Sequence, residues 1–250
     1  MEQEKAKYEV SLVIVYTDEK KLQEAKLWIE RQSVCENVET VLLDNRGNRF
    51  SSCTQALNYG AEHSAGDVIL FMHQDVYLWD LQAVEKYCAF LKNNPDAVIG
   101  VAGIPADMGV VTDLYETLEK HKRGIRAKGK EYPVVALDEC LLAMKRERWQ
   151  LLRFDEQCCD NWHGYGMDIC YSNTLQGGRN IMVPLQICHD SFGTPHTASY
   201  RSTIKNLVRK YRGTPITQIR GTCIQIPCSW RGYYWYVIKT HIKALLRMHR

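Results

Sequence analysis

Residues 10–16, Val-Ser-Leu-Val-Ile-Val-Tyr, form a nearly unbroken apolar run rich in β-branched side chains. That is the pattern of a strand covered on both faces. Leu22, Ala25, Trp28 and Ile29 then recur at helical spacing within residues 18–32. A second strand over 39–44 ends at Asp44 and the turn residues Asn45-Arg-Gly-Asn. Residues 51–64 read as a helix capped by Ser51 or Ser52. A third strand over 67–72 stops at His73-Gln74-Asp75, and a helix from about Leu78 to Asn93 precedes a strand over 97–102. This repeated strand–helix order predicts an α/β fold with a mostly parallel central sheet flanked by helices.

Ligands of such sheets bind beyond the carboxyl ends of the strands. The polar residues found there are Thr17 and Asp18, Asp44 and Asn45, and His73 to Asp75. Asp44 is placed to accept hydrogen bonds from a nucleotide ring N–H or a ribose hydroxyl. No Gly-x-Gly-x-x-Gly turn follows the first strand and no P-loop is present, which argues against dinucleotide and P-loop chemistry. Phosphate charge then needs another counter-charge, and a divalent cation is the usual one. His73 and Asp75, two apart at a strand end, make a fair site for Mn²⁺ or Mg²⁺ shared with diphosphate oxygens.

Composition narrows the class further. Aromatic content of 10% and a net charge of +3 exclude a disordered chain. The ten cysteines form no Cys-x-x-Cys pair and several lie in apolar runs, so they read as small buried hydrophobes. No run of 18 apolar residues exists, and the charged N-terminus lacks the apolar core of a secretory signal. A cytoplasmic location is expected.

Charge is unevenly spread. After Asp190 there is no Asp or Glu, while the last 60 residues hold 11 Lys and Arg. The first 190 therefore carry 21 basic and 29 acidic groups, a net −8 against +11. Trp230, Tyr233, Tyr234, Trp235 and Tyr236 are interleaved with that basic tail. Ile242, Leu245 and Leu246 share one helical face, with Lys239, Lys243, Arg247 and Arg250 around it. This favours an anionic membrane surface as partner, contacted from the inner face by a basic amphipathic helix. The alternative is a helix that packs its aromatics on the domain. No nucleic-acid-binding motif accompanies the charge. The expected division is a catalytic domain over 1–215 and a basic aromatic helical extension over 216–250.

The segments Ser11-Leu-Val-Ile-Val-Tyr-Thr, Val41-Leu-Leu-Asp-Asn, Ala56-Leu-Asn-Tyr-Gly-Ala and Ala65-Gly-Asp-Val-Ile-Leu-Phe-Met-His-Gln-Asp-Val follow one another in a telling order. In order and spacing they resemble inverting glycosyltransferases of the GT-A fold, family-two type. Four later segments are similar to a bacterial branch of these enzymes: Ala136 to Trp149, Phe154-Asp-Glu, Trp162 to Cys170, and Ile187 to Thr194. The resemblance covers about residues 9–215. It implies transfer of a sugar from a nucleotide-diphosphate donor, a UDP-sugar favoured, to a hydroxyl of a glycan or lipid-linked acceptor in surface-glycan synthesis.

Carried over residue by residue, the resemblance puts Asp44 on the donor base, with Thr17, Asn45 and Asn58 in the donor-nucleotide set. His73-Gln74-Asp75 stands for the family's Asp-x-Asp, so Asp75 and His73 become metal ligands, joined by the late histidine His189. Asp138, with Glu139 beside it, falls near the donor sugar, and Trp162 and Tyr165 fall at the acceptor. The catalytic base maps to Asp168, in Met167-Asp168, where the family carries an acidic pair. Inverting transfer needs one positioned carboxylate to take the acceptor's proton and positive charge to stabilise the leaving diphosphate.

Each assignment has a structural alternative. Asp168 could cap a helix, His189 could be a satisfied core histidine, Asp138 and Glu139 could start a helix, and the two aromatics could be core. A catalytically silent sugar-nucleotide binding module, or a membrane-recruiting subunit, is the competing reading.

Overall fold

The computed structural model describes residues 9–117, 120–122, 124–191 and 197–248, without the side chains of residues 35, 117 and 243–248. Seven strands make the central sheet: β1 (Val10–Tyr16), β2 (Val38–Asp44), β3 (Val68–His73), β4 (Ala97–Gly100), β5 (Tyr132–Pro133), β6 (Leu141–Lys145) and β7 (Arg179–Met182). Their spatial order is β5-β7-β4-β6-β3-β1-β2. β1 pairs in parallel with β2 and β3, and β4 with β7. β6 runs antiparallel between β3 and β4, and β5 antiparallel to β7. The sheet is therefore more mixed than its apolar runs suggest.

That reversal matters for function. Val15 pairs with both Leu43 and His73, so the carboxyl ends of β1, β2 and β3 are level. β6 begins where β3 ends, with Leu141 opposite Met72, and the His73 N–H donates to Cys140 O at 3.0 Å. The residues entering β6, Asp138 to Cys140, thus arrive at the same edge of the sheet. A short antiparallel pairing of Val76–Tyr77 with Cys188–His189 sets His189 opposite Val76. His189 is thereby brought next to Asp75.

The helices are α1 (Glu19–Glu30), α2 (Cys53–Glu62), α3 (Ala83–Asn93), α4 (Arg146–Leu152), α5 (Tyr165–Leu175), α6 (Ala198–Tyr211) and α7 (Trp230–Met248). Asp18 caps α1 by accepting from Lys20 N and Lys21 N, and Ser52 caps α2 by accepting from Gln55 N. Alternation along β1 splits the core in two. Leu12 and Ile14 pack with Leu22, Ile29 and Tyr87 of α1 and α3, while Val13 packs with Ala56 and Leu57 of α2 and with Ile169 of α5. Both faces of the sheet are covered, as a strand without polar alternation requires. Each fully buried large apolar side chain contributes about 1.5–3 kcal/mol.

α5 enters through Gly164, whose φ of +85° suits glycine and where a Cβ would lie 2.3 Å from Thr203 Cγ2. Beyond residue 215 the chain does not leave the domain at once. A hairpin of Gln218–Gly221 and Ile224–Pro227 buries Ile219, Ile224 and Ile226 in the main core. α7 buries Tyr236 and rests Trp230, Tyr233 and Val237 on that core, while Tyr234, Trp235, Ile238 and Ile242 stay exposed. The aromatic cluster of the tail therefore has one packed face and one open face. The expected positions of Lys243, Leu245, Leu246 and Arg247 fall on side chains outside the described set, and Arg250 lies outside the described residues. Among the described residues no helix is long and apolar enough to cross a membrane.

Candidate active site

A cleft of about 340 Å³ opens at the carboxyl ends of β1 and β3, lined by Thr17, Asn45, His73, Gln74, Asp75, Trp162 and Tyr165 among others. It lies where an α/β sheet binds its ligands. One ligand atom each from His73 and Asp75, both in its lining, and from His189 beside them come within 4.8 Å of one another. His189 Nε2 stands 3.4 Å from Asp75 Oδ1, buried and without a hydrogen-bond partner. Two imidazoles and a carboxylate, one of them with an unengaged ring nitrogen, suit a borderline divalent cation such as Mn²⁺. The donor set fits the group.

Electrostatics sharpen the site. Burial, with His189 beside it, drives the His73 imidazole down to about 4, so it stays neutral near pH 7. Its Nε2 lies 2.7 Å from the Tyr165 hydroxyl, which donates to Glu139 O at 3.2 Å. Burial alone would raise the Asp75 carboxyl, but His189, His73 and Lys21 outweigh it and hold it at about 2. Asp75 is therefore ionised over the whole physiological range. Asp138, half-buried, is likewise lowered: desolvation opposes, while His189, the Cys140 N–H at 3.1 Å and His73 win.

Glu139 behaves oppositely. Desolvation pushes its carboxyl up to about 8, even though its Oε1 accepts the Gly166 N–H at 3.0 Å. Gly166 has no side chain, and a Cβ there would lie 2.8 Å from Glu139 Cγ. The missing side chain at 166 is thus filled by Glu139, half-buried beside Tyr165 at the first turn of α5. A carboxyl poised near neutrality is suited to proton transfer.

The other expected residues divide. Thr17 sits in the cleft, with its N–H donating to Gln74 Oε1 at 2.8 Å. Asp44 is at the tip of β2, held well below the usual carboxylate range by hydrogen bonds from Arg46, whose guanidinium lies 5.4 Å from the Tyr16 ring. Trp162 lines the cleft and is 39% exposed, free to stack on a sugar. Tyr165 is 1% exposed and its hydroxyl is engaged, so it is a wall and no open platform. Asn45 is consumed in its own turn, accepting from Phe50 N at 2.7 Å, although it faces the cleft. Asn58 lies away from the cleft and fastens α2 to Phe154 N, Phe154 O and Glu156.

Asp168, expected as the base, is placed elsewhere. Its carboxylate accepts from Lys210 Nζ at 2.8 and 3.0 Å and from the Tyr211 hydroxyl at 2.7 Å, and its side chain is 2% exposed. Lys210 also reaches Asp155 at 2.9 Å. Nor is Asp168 a cap, since Gly164 holds that position. It fastens α6 to α5, and a buried ion pair of this kind is costly to break from one side.

Two polar residues at the site, Lys21 and Lys122, carried no sequence signal, and Gln74 was read only as a member of the strand-end motif. Lys21 of α1 lies 3.4 Å from Asp75 Oδ2 and donates to Asp190 O at 2.8 Å. Lys122 donates to His189 Nδ1 at 2.9 Å and to Ser191 O at 3.3 Å. Gln74, between the two motif residues, ties β3 to the end of β1 through Thr17 and Asp18.

Comparison with known proteins agrees with this geometry. A crystal structure of GalNAc-T7 with UDP, GalNAc and Mn²⁺ superposes with a TM-score of 0.58 at 15% identity, covering 79% of this chain and 48% of that one. The mannosyltransferase PcManGT from Pyrobaculum calidifontis, in complex with GDP-Man and Mn²⁺, gives 0.55 at 14% identity over 81% and 63%. Both likenesses establish a GT-A-like fold. Among curated proteins, the ATP synthase subunits region ORF 6 product of Fuscovulum blasticum is 27% identical over 163 residues, 62% of this chain and 64% of that protein. The chain thus spans somewhat less than two thirds of that relative. The model of the glycosyltransferase-like family matches residues 11–211, most of the chain and every element that builds the cleft, and the protein belongs to that family.

Proposed function

We propose that this protein transfers a sugar, with inversion, from a nucleoside-diphosphate donor to an acceptor hydroxyl in the cleft above β1 and β3. The observation that carries the reading is the meeting of His73 and Asp75, both in the cleft's lining, with His189. Those three residues would hold a divalent cation, which would supply positive charge to the departing diphosphate. Thr17 and Asp44, at the level ends of β1 and β2, are offered to the nucleotide base and ribose, UDP being the first choice. Asp138 faces the donor sugar and Trp162 the acceptor.

The proton of the attacking hydroxyl goes to a carboxylate. Glu139 is the better candidate: it is half-buried, neighbours the cleft wall, and is not locked in an ion pair. The Gly166 N–H holds its Oε1, which leaves the second oxygen to accept the proton. Asp168, sealed by Lys210 and Tyr211, positions α5. A single displacement needs no more than this base on one side and fixed positive charge on the other.

The test is a thermal-shift screen of UDP, GDP and their sugars with Mn²⁺. A ligand at 100 times its Kd stabilises the native state by about 2.7 kcal/mol, or about 5–10 °C for a chain of this size. No shift with any of these compounds would overturn the reading.

A glycan or lipid-linked acceptor is the choice that the open face of α7 favours. Exposed Tyr234, Trp235, Ile238 and Ile242, with the basic residues of the tail, suit an anionic bilayer at about 1 kcal/mol per basic group. The full chain should co-sediment with anionic vesicles at low salt, and a variant with serine in place of the exposed Trp235, Ile238 and Ile242 should not. Equal recovery of the two would leave α7 as a packing or dimerising element.

A further inference from the structure

The histidine expected to hold a metal has an outer partner of the wrong kind. Histidines that ligate metals donate their second ring N–H to a carboxylate, carbonyl or water, which frees the other nitrogen's lone pair for the ion. Here the group on His189 Nδ1 is the Lys122 ammonium, at 2.9 Å. An ammonium has three donors and no acceptor, so Nδ1 is the acceptor. The ring proton then sits on Nε2, the nitrogen that faces Asp75. On the other side of the same cluster, the Lys21 ammonium lies 3.4 Å from Asp75 Oδ2 and 3.6 Å from Asp190 Oδ2, and is anchored on Asp190 O at 2.8 Å. Two of the three candidate ligands are therefore already engaged by cations.

We propose that Lys21 and Lys122 keep a divalent cation out of the nucleotide-free site and admit it only together with a nucleoside diphosphate. The proposal rests on the metal reading of the site given above. Diphosphate oxygens offer both ammoniums a better partner than one carboxylate oxygen or one imidazole nitrogen, because charge-assisted bonds to phosphate are stronger. When Lys122 turns to the diphosphate, Nδ1 is free to take the ring proton and Nε2 presents its lone pair. When Lys21 turns likewise, both Asp75 oxygens are released. No atom is gained or lost, since one proton changes ring nitrogens through solvent. Cation and nucleotide then bind as a coupled pair, and each strengthens the other by the same factor. Lys21 and Lys122 are positioning residues in this scheme.

A nucleotide tightens a cation by adding ligands of its own, so the substitutions must carry the test. Free Mn²⁺ is followed by its EPR signal during titration of the full chain, alone and with saturating UDP or GDP. The proteins compared are the wild type, Lys122→Met and Lys21→Met, each checked for native circular dichroism. The expected result is at least 10-fold tighter binding of Mn²⁺ alone in Lys122→Met than in the wild type, a smaller gain in Lys21→Met, and weaker coupling to the nucleotide in both. Unchanged affinity for Mn²⁺ alone in both variants overturns the proposal while leaving the metal site intact. No Mn²⁺ binding by the wild type even with UDP or GDP overturns the metal reading itself, and this inference with it.

Discussion

Glu139→Gln is expected to lower sugar transfer by roughly 10²–10⁴ while the donor KM stays near its wild-type value, the signature of a lost general base. Glutamine preserves the volume that fills the gap at Gly166 and offers an amide oxygen to the Gly166 N–H, so the fold has no reason to change. What it cannot do is take a proton. Desolvation raises the Glu139 carboxyl to about 8, and a base works in its deprotonated form. Wild-type turnover should therefore climb with pH until about 8, and the variant should lose that limb. Asp168→Asn is the control. With its partner Lys210 still held by Asp155, that variant should lose thermal stability before it loses rate. Wild-type turnover in Glu139→Gln, with a large loss in a fully stable Asp168→Asn, would return the base to Asp168.

Asp75→Asn is expected to cost transfer about 100-fold or more, because charge on the leaving diphosphate is worth several kcal/mol to stabilise. Asp75 is the one residue of the cluster that is negative at every physiological pH, and it meets both His189 and Lys21. An amide keeps the shape and removes the charge that would attract a cation. His73→Ala should cost less, since His73 Nε2 is shared with the Tyr165 hydroxyl. Undiminished transfer in EDTA would remove the cation from the account and leave Lys21 and Lys122 to face the diphosphate.

The contrast among these residues shows what an amino-acid pattern conveys. Strands β1 and β3 were legible as unbroken β-branched runs, and Ser52 as a cap, because both depend on neighbours in sequence. The direction of β6 was not, since a strand buried on both faces reads the same parallel or antiparallel. Yet that direction delivers Asp138 and Glu139 to the edge of the sheet where β3 ends. Asn45 and Asn58 resembled ligand contacts but satisfy backbone groups within the fold, which is the commonest fate of a buried amide. Asp168 matched its motif in position, but only the approach of α6 shows Lys210 and Tyr211 closing over it. Lys21 and Lys122 were invisible for the converse reason. A lysine among other charged residues, as in Glu19-Lys-Lys and Lys120-His-Lys-Arg, reads as solvated, and what it touches is decided by loops far away in sequence.

Cation-assisted sugar transfer is tested most directly by the rate of UDP or GDP release from a panel of nucleotide sugars, with Mn²⁺, for the wild type and Asp75→Asn side by side. At least one donor is expected to be turned over by the wild type, with water or a glycan as acceptor, and the same donor to be consumed at least ~100-fold more slowly by the variant. Equal rates in the two proteins, or no release from any donor by folded wild-type protein, would contradict cation-assisted transfer.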